Sequence, residues 1–126
     1  MAEPAGRRLV LVADDERDIV ELLSILLQRA GYEVVCAFDG ATALALARER
    51  CPDLCILDGT MPRLAGFEVL TALRNDEATA AVPVLILTAT VDEAREIRRH
   101  GVVPEGFVQK PFDSTALLAE VSRLLR

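Results

Sequence analysis

Residues 55 to 66 read CILDGTMPRLAG: three apolar residues run into Asp58, and the chain then breaks into Gly59, Thr60, Met61, Pro62 and, four positions on, Gly66. A carboxylate where a strand-like run gives way to a turn is commonly a turn or cap residue. It becomes part of a site only if the fold carries other polar groups to the same place, so the flanking sequence decides its meaning.

Outward from this stretch the chain alternates between two periodicities. RLVLVAD (8 to 14) is a short continuous apolar run ending in acids, and IVELLSILLQRAG (19 to 31) has apolar residues at helical spacing with Gly31 as its stop. EVVCAF (33 to 38) is β-rich. Gly40 opens ATALALARER, where Ala41, Leu44, Leu46 and Ala47 recur on one helical face before Pro52. DLCILD (53 to 58) is a third strand, FEVLTALRN (67 to 75) a third helix, and VPVLILTA (82 to 89) a fourth strand rich in Val, Ile and Leu. VDEAREIRRHG (91 to 101) reads as a fourth helix, GFVQK (106 to 110) as a short fifth strand, and STALLAEVSRLLR (114 to 126) as a final amphipathic helix with Asp113 as its N-cap. No linker, low-complexity tract or internal repeat interrupts this alternation.

Strand and helix in strict alternation imply right-handed crossovers and a parallel sheet covered on both faces, which suits strands that are apolar throughout. The expected fold is therefore α/β, a doubly wound (βα)5 flavodoxin-like three-layer sandwich. Its expected strand order is 2-1-3-4-5, with the topological switch point between strands 1 and 3 and ligands outside their carboxyl ends. That order gives Asp58 its company. Asp14 and Asp15 end strand 1, Asp58 ends strand 3, Thr88 ends strand 4 and Lys110 ends strand 5, so all five converge on one edge.

Composition bounds the alternatives. The 126 residues, 52% hydrophobic, suit one domain with a core from about residue 8 to 126, and the charge of -6 opposes direct contact with nucleic acid through the overall field. Arg7 and Arg8 followed by LVLVA faintly imitate a secretory leader, but Asp14, Asp15 and Glu16 end the apolar run, and no membrane span is expected. Cys36, Cys51 and Cys55 are odd in number and lack C-x-x-C spacing, which reads as reduced thiols in a cytoplasmic protein. The only histidine, His100, lies far off in a charged helical stretch, so a thiol and imidazole metal site is not expected.

Three carboxylates held together repel one another, and a divalent cation removes that penalty. Oxygen donors alone favour Mg²⁺. Lys110 adds a mobile positive charge and Thr88 a hydroxyl donor, which a tetrahedral anion needs around it. The set suits a phosphoryl group, with Asp58 on the central strand as the nucleophile.

These residues together resemble the receiver domains of bacterial two-component response regulators. The matching elements, which cover nearly the whole chain, are the acidic pair in VADDE, DGTMPRLAG with its Asp, Met-Pro and Gly66, LTA with Thr88, and KPF at 110 to 112; Thr88 and Lys110 stand 22 positions apart. The resemblance implies that Asp58 accepts a phosphoryl group from a sensor histidine kinase or a histidine phosphotransfer protein. It implies Mg²⁺ on Asp14, Asp15, Asp58 and the Thr60 carbonyl, with Lys110 and Thr88 on the phosphoryl oxygens. Thr88 and Phe107 form the switch pair, Lys110-Pro111 is a cis peptide, and the face of helix 4, strand 5 and helix 5 carries an output partner or a homodimer contact. Such a domain catalyses its own phosphorylation and dephosphorylation and is not a conventional turnover enzyme.

Some positions depart from the family pattern. Gly101 comes early and VVPEG (102 to 106) lengthens the approach to Phe107, so the fourth helix is expected to be short. Ala65 stands where an acid or amide is usual, and Gly59 where larger apolar residues are common. Thr60 and Thr90, positions that tune phosphoryl lifetime in the family, are small and polar. Arg95, Arg98 and Arg99 read as a solvated face. Two other classes compete. A haloacid-dehalogenase-like phosphatase shares DGT at 58 to 60 but needs a nucleophilic Asp where Ile56 stands. A binding module that keeps the fold without phosphorylation has no need of Asp58, Lys110 and the acidic pair. No output domain is expected within these residues, as in a stand-alone receiver or a portion of a larger regulator or hybrid kinase.

Overall fold

A computed structural model describes residues 7–126. Five strands, β1 (Leu9–Ala13), β2 (Glu33–Ala37), β3 (Leu54–Asp58), β4 (Val84–Thr88) and β5 (Gly106–Gln109), alternate with α1 (Arg17–Arg29), α2 (Gly40–Arg50), α3 (Gly66–Arg74), α4 (Val91–Arg99) and α5 (Ser114–Leu124). The strands form one parallel sheet in the order β2-β1-β3-β4-β5. The doubly wound three-layer sandwich expected from the alternation is thus the fold.

Because side chains alternate across a sheet, each central strand feeds both layers. Leu11, Ala13, Cys55, Leu57, Val84 and Ile86 pack with α2, α3 and α4 through residues such as Ala47, Leu70, Leu73 and Ile97. Val10, Val12, Ile56, Leu85 and Leu87 pack with α1 and α5 through Leu23, Leu27, Leu117 and Val121. Every residue of β3 and β4 is buried, as a strand covered on both faces requires.

The boundaries differ from the sequence reading in ways that have causes. The fourth strand begins at Val84, because the Pro83 nitrogen carries no proton for the ladder. The third strand begins at Leu54; Asp53 before it is tied to β1 by one backbone and one side-chain bond, its N–H donating to the Leu9 carbonyl at 2.8 Å and its carboxylate accepting the Leu9 N–H at 2.7 Å. The fourth helix is short: it spans nine residues, and its exit passes through Gly101 at φ +79°. Asp113 caps α5 by accepting the Ala116 N–H at 3.0 Å. Cys36, Cys51 and Cys55 are all free thiols, and burial pushes Cys55 up to about 12, so it behaves as a core hydrophobe. No helix among the described residues is long and apolar enough to cross a membrane.

Candidate functional site

The site is assembled by strand ends. β1 and β3 are direct neighbours at the sheet centre, so the chain leaves them side by side, with Asp14 and Asp15 after Ala13 and Asp58 as the last residue of β3. One carboxylate oxygen from each of Asp14, Asp15 and Asp58 lies within 4.8 Å of the others; Asp14 and Asp58 are buried and Asp15 is exposed. The residue that leads into α1 fixes Asp14 locally, since Asp14 Oδ1 accepts the N–H of the N-cap Glu16 at 2.9 Å.

Lys110 enters from the end of β5. Its Nζ stands 2.7 Å from Asp14 Oδ2, 3.2 Å from Glu16 Oε1 and 3.4 Å from Asp58 Oδ1. Its backbone N–H donates to the Thr88 carbonyl at 2.7 Å, and the bond to Pro111 is cis, as expected. Burial disfavours the ammonium, yet contact with Asp14, Asp58 and Glu16 outweighs it and holds the Lys110 pKa above its ordinary value. Thr88 is buried at the end of β4, two strands from β1. Phe107 lies on β5 beside Ile86, half-buried in the α2–α4 layer, with the Arg98 guanidinium 4.8 Å from its ring centroid. Arg98 therefore covers an aromatic ring, whereas Arg95 and Arg99 form exposed i,i+3 ion pairs within α4. All three arginines are exposed, as a solvated face requires.

Burial first, and the Asp14 charge second, push the Asp58 carboxyl from 3.8 up to about 7; Lys110 and the Thr60 N–H oppose the shift without cancelling it. A carboxylate kept reluctant to ionise beside two others is what an acidic cluster looks like without its counter-ion. Asp14 Oδ2 points the same way. It is buried and its close partner is the Lys110 ammonium at 2.7 Å, a contact that uses at most one of the oxygen's lone pairs. Three oxygen donors with an open buried lone pair fit a hard divalent cation.

Sequence reasoning missed two acids. Glu16 joins Lys110 from the exposed side, and Glu93 of α4 accepts the Thr60 hydroxyl at 2.8 Å and the Ala89 N–H at 3.1 Å. Glu16 was visible as the third acid of DDE. Glu93 stood three residues after Thr90, where S/T-x-x-E announces a local helix cap and not a bond across loops.

A doubly wound sheet with three acids and an amine gathered at its switch point defines a class of α/β signalling domains, and the comparisons agree. The response regulator receiver domain pattern matches residues 10–122, and the chain belongs to that family. It is 43% identical over 117 residues to the DNA-binding dual master transcriptional regulator RpaA of Synechocystis, an alignment covering 93% of this chain and 48% of RpaA. It is 34% identical over 119 residues to the phosphate regulon regulator PhoB of Pseudomonas aeruginosa, covering 94% of this chain and 52% of PhoB. The chain thus spans about half the length of these curated relatives. Among solved structures, the Vibrio cholerae chemotaxis protein CheY4 superposes with a TM-score of 0.88 at 36% identity, covering 95% of this chain and all of that one. A response regulator from Chloroflexus aurantiacus gives 0.87 at 30% identity, covering 95% and 98%.

Proposed function

We propose that this receiver domain is a phosphoacceptor in which Asp58 takes a phosphoryl group from the phosphohistidine of a sensor histidine kinase or a histidine phosphotransfer protein. The observation that carries this is the gathering of Asp58 with Asp14 and Asp15, one carboxylate oxygen of each within 4.8 Å of the others, with Asp58 nearly enclosed and 3.4 Å from the Lys110 ammonium. An Asp58 oxygen attacks phosphorus, the P–N bond of the donor breaks, and the leaving imidazole keeps the electron pair and takes a proton from solvent. Lys110 holds one transferring oxygen by charge, and the Thr88 hydroxyl donates to another. Asp14, Asp15, Asp58 and the Thr60 carbonyl would hold Mg²⁺, which when bound neutralises the carboxylates and the spreading phosphoryl charge. Water attack on the aspartyl phosphate at the same site returns free Asp58, so the chain turns over only its own phosphoryl group. The setting is cytoplasmic, where such donors are made.

The test is intact mass after incubation with Mg²⁺ and acetyl phosphate. One base-labile phosphoryl group per chain is expected. No adduct under conditions that modify another receiver would sink the reading in favour of a phosphorylation-independent binding module.

The signal leaves through the switch pair. The new phosphoryl oxygens draw Thr88 inward, Phe107 turns into the space it leaves, and the α4, β5 and α5 face presents a changed surface to an output partner or a second copy of the chain. Having no hydroxyl, Phe107 can be buried without a polar partner. Thr88→Ala is expected to keep its rate of phosphorylation within about tenfold of the parent while its Phe107 ring resonances stay fixed on phosphorylation. Ring shifts like those of the parent would disprove the coupling. DNA binding, named for the relative RpaA, would belong to another part of a longer chain and not to these acidic residues.

A further inference from the structure

Glu93 is the one side chain of α4 that enters the mouth of the site by two hydrogen bonds, and it does so from a helix that buries only Ala94 and Ile97. Its Oε2 accepts the Thr60 hydroxyl at 2.8 Å and its Oε1 accepts the Ala89 N–H at 3.1 Å. Its own N–H donates to Thr90 Oγ1 at 3.0 Å, so the same residue is part of the cap that starts α4. The two loops it joins are those that follow Asp58 and Thr88. Thr60 is held from both directions, because its N–H faces the Asp58 carboxylate while its hydroxyl binds Glu93.

The carboxylate fits because residue 59 has no side chain. A Cβ on Gly59 would stand 2.6 Å from Glu93 Oε1 and 3.1 Å from Glu93 Cδ. Glu93 therefore occupies the volume that any larger residue after the phosphoacceptor would fill. An anion lies against the peptide next to Asp58 before any phosphoryl group arrives.

We infer that Glu93 is a resident-anion latch: its carboxylate clasps the β3–α3 and β4–α4 loops in the unphosphorylated chain and is expelled by the phosphoryl group on Asp58. It thereby slows phosphorylation and carries the event to the first turn of α4. The inference rests on Asp58 being the phosphoacceptor. A phosphoryl group on Asp58 brings about two negative charges next to the residue against which the Glu93 carboxylate rests, Gly59. Like charge in this partly enclosed mouth disfavours the clasp, and release costs Thr60 and Ala89 their shared acceptor. The route runs through Thr60 and Gly59, apart from the Thr88 and Phe107 pair, and ends at the opposite terminus of α4 from the Arg98 contact on Phe107.

Two variants test it. Glu93→Gln keeps the shape and removes the charge, and Gly59→Ala displaces the carboxylate by volume while leaving Glu93 in the sequence. With Mg²⁺ and acetyl phosphate, each is expected to be phosphorylated about fivefold faster than the parent, the effect of removing one like charge from a partly solvated site. In the parent, the Glu93 side-chain carboxyl ¹³C resonance is expected to move on phosphorylation, together with the amides of residues 91 to 94. A phosphorylated parent whose Glu93 resonance stays fixed, or a Glu93→Gln chain modified at the parent rate, overturns the latch and leaves Asp58 as acceptor. A parent that takes no phosphoryl group removes the acceptor reading and the latch with it.

Discussion

Asp58→Asn is expected to abolish the phosphoryl adduct and, in Mg²⁺-free buffer at pH 8, to make the domain more stable than its parent. The two effects have one origin. Asp58 is nearly enclosed, lies beside Asp14, and has its carboxyl pushed from 3.8 to about 7 by burial and by that neighbour. An acid whose pKa is raised on folding binds its proton more tightly in the native state than in the unfolded chain. Its favourable contribution is therefore complete below the unfolded value of 3.8 and is lost as pH rises through about 7. Above that, the native state must hold an ionised carboxylate that it disfavours.

Asparagine keeps the shape and removes this titration. At about 1.4 kcal/mol for each pH unit of displacement, the ceiling is about 4 kcal/mol. The opposing Lys110 charge and solvent at the open mouth of the site bring the expected gain of the variant at pH 8 to about 2 kcal/mol. The difference should shrink toward zero by pH 3, below the unfolded value of 3.8, where parent Asp58 is mostly protonated in both states. Urea midpoints at the two pH values measure it. A variant less stable than the parent at pH 8 would mean that the Lys110 contact at 3.4 Å outweighs the repulsion from Asp14. Mg²⁺ should raise the parent midpoint at pH 8 and do so less at pH 5, where protons compete for the same oxygens.

The balance of charge at this edge also sets what could be read from the sequence. Asp14, Asp15, Asp58, Thr88 and Lys110 were legible because strand ends carry them: once alternation gave the strand order, their convergence followed from topology alone. Side chains that reach between loops had no such rule. Glu16 is 94 residues from Lys110 and Glu93 is 33 from Thr60, and nothing in period or spacing joins either pair. The second helix was harder for another reason. Its apolar residues suggested a face of Ala41, Leu44, Leu46 and Ala47, whereas the fully buried positions are Gly40, Ala43 and Ala47, with Leu44 and Leu46 half-covered. Small residues are buried there because α2 runs close beside α3 and its entrance: a Cβ on Gly40 would clash with the Leu64 carbonyl. Hydrophobicity marks the large side chains of a face and passes over the small ones that permit close approach.

Gly66 is the strongest instance of that blindness, since a glycine presents no side chain for hydrophobic pattern to mark. Its Cα faces the backbone of Asp58 itself. A Cβ there would overlap the Asp58 carbonyl oxygen and lie 3.1 Å from Gly59 Cα and 3.2 Å from the Asp58 carbonyl carbon. The Gly66 N–H also donates to the Gly59 carbonyl at 3.1 Å, so the start of α3 is fastened to the end of β3 on both sides. No side chain can swing away to relieve the clash, because every neighbour is main chain. Gly66→Ala is therefore expected to cost about 2 kcal/mol in urea unfolding and, by moving the Asp58 main chain, to slow phosphorylation by more than about tenfold. Gly31→Ala is the control. Gly31 sits at φ +98° with nothing within 4 Å of an added Cβ, so alanine meets backbone strain of about 1 kcal/mol there and leaves the phosphorylation rate unchanged. A Gly66→Ala chain with the parent's unfolding midpoint and rate would show that α3 can draw back from β3 freely, and that the position of Asp58 does not depend on this contact.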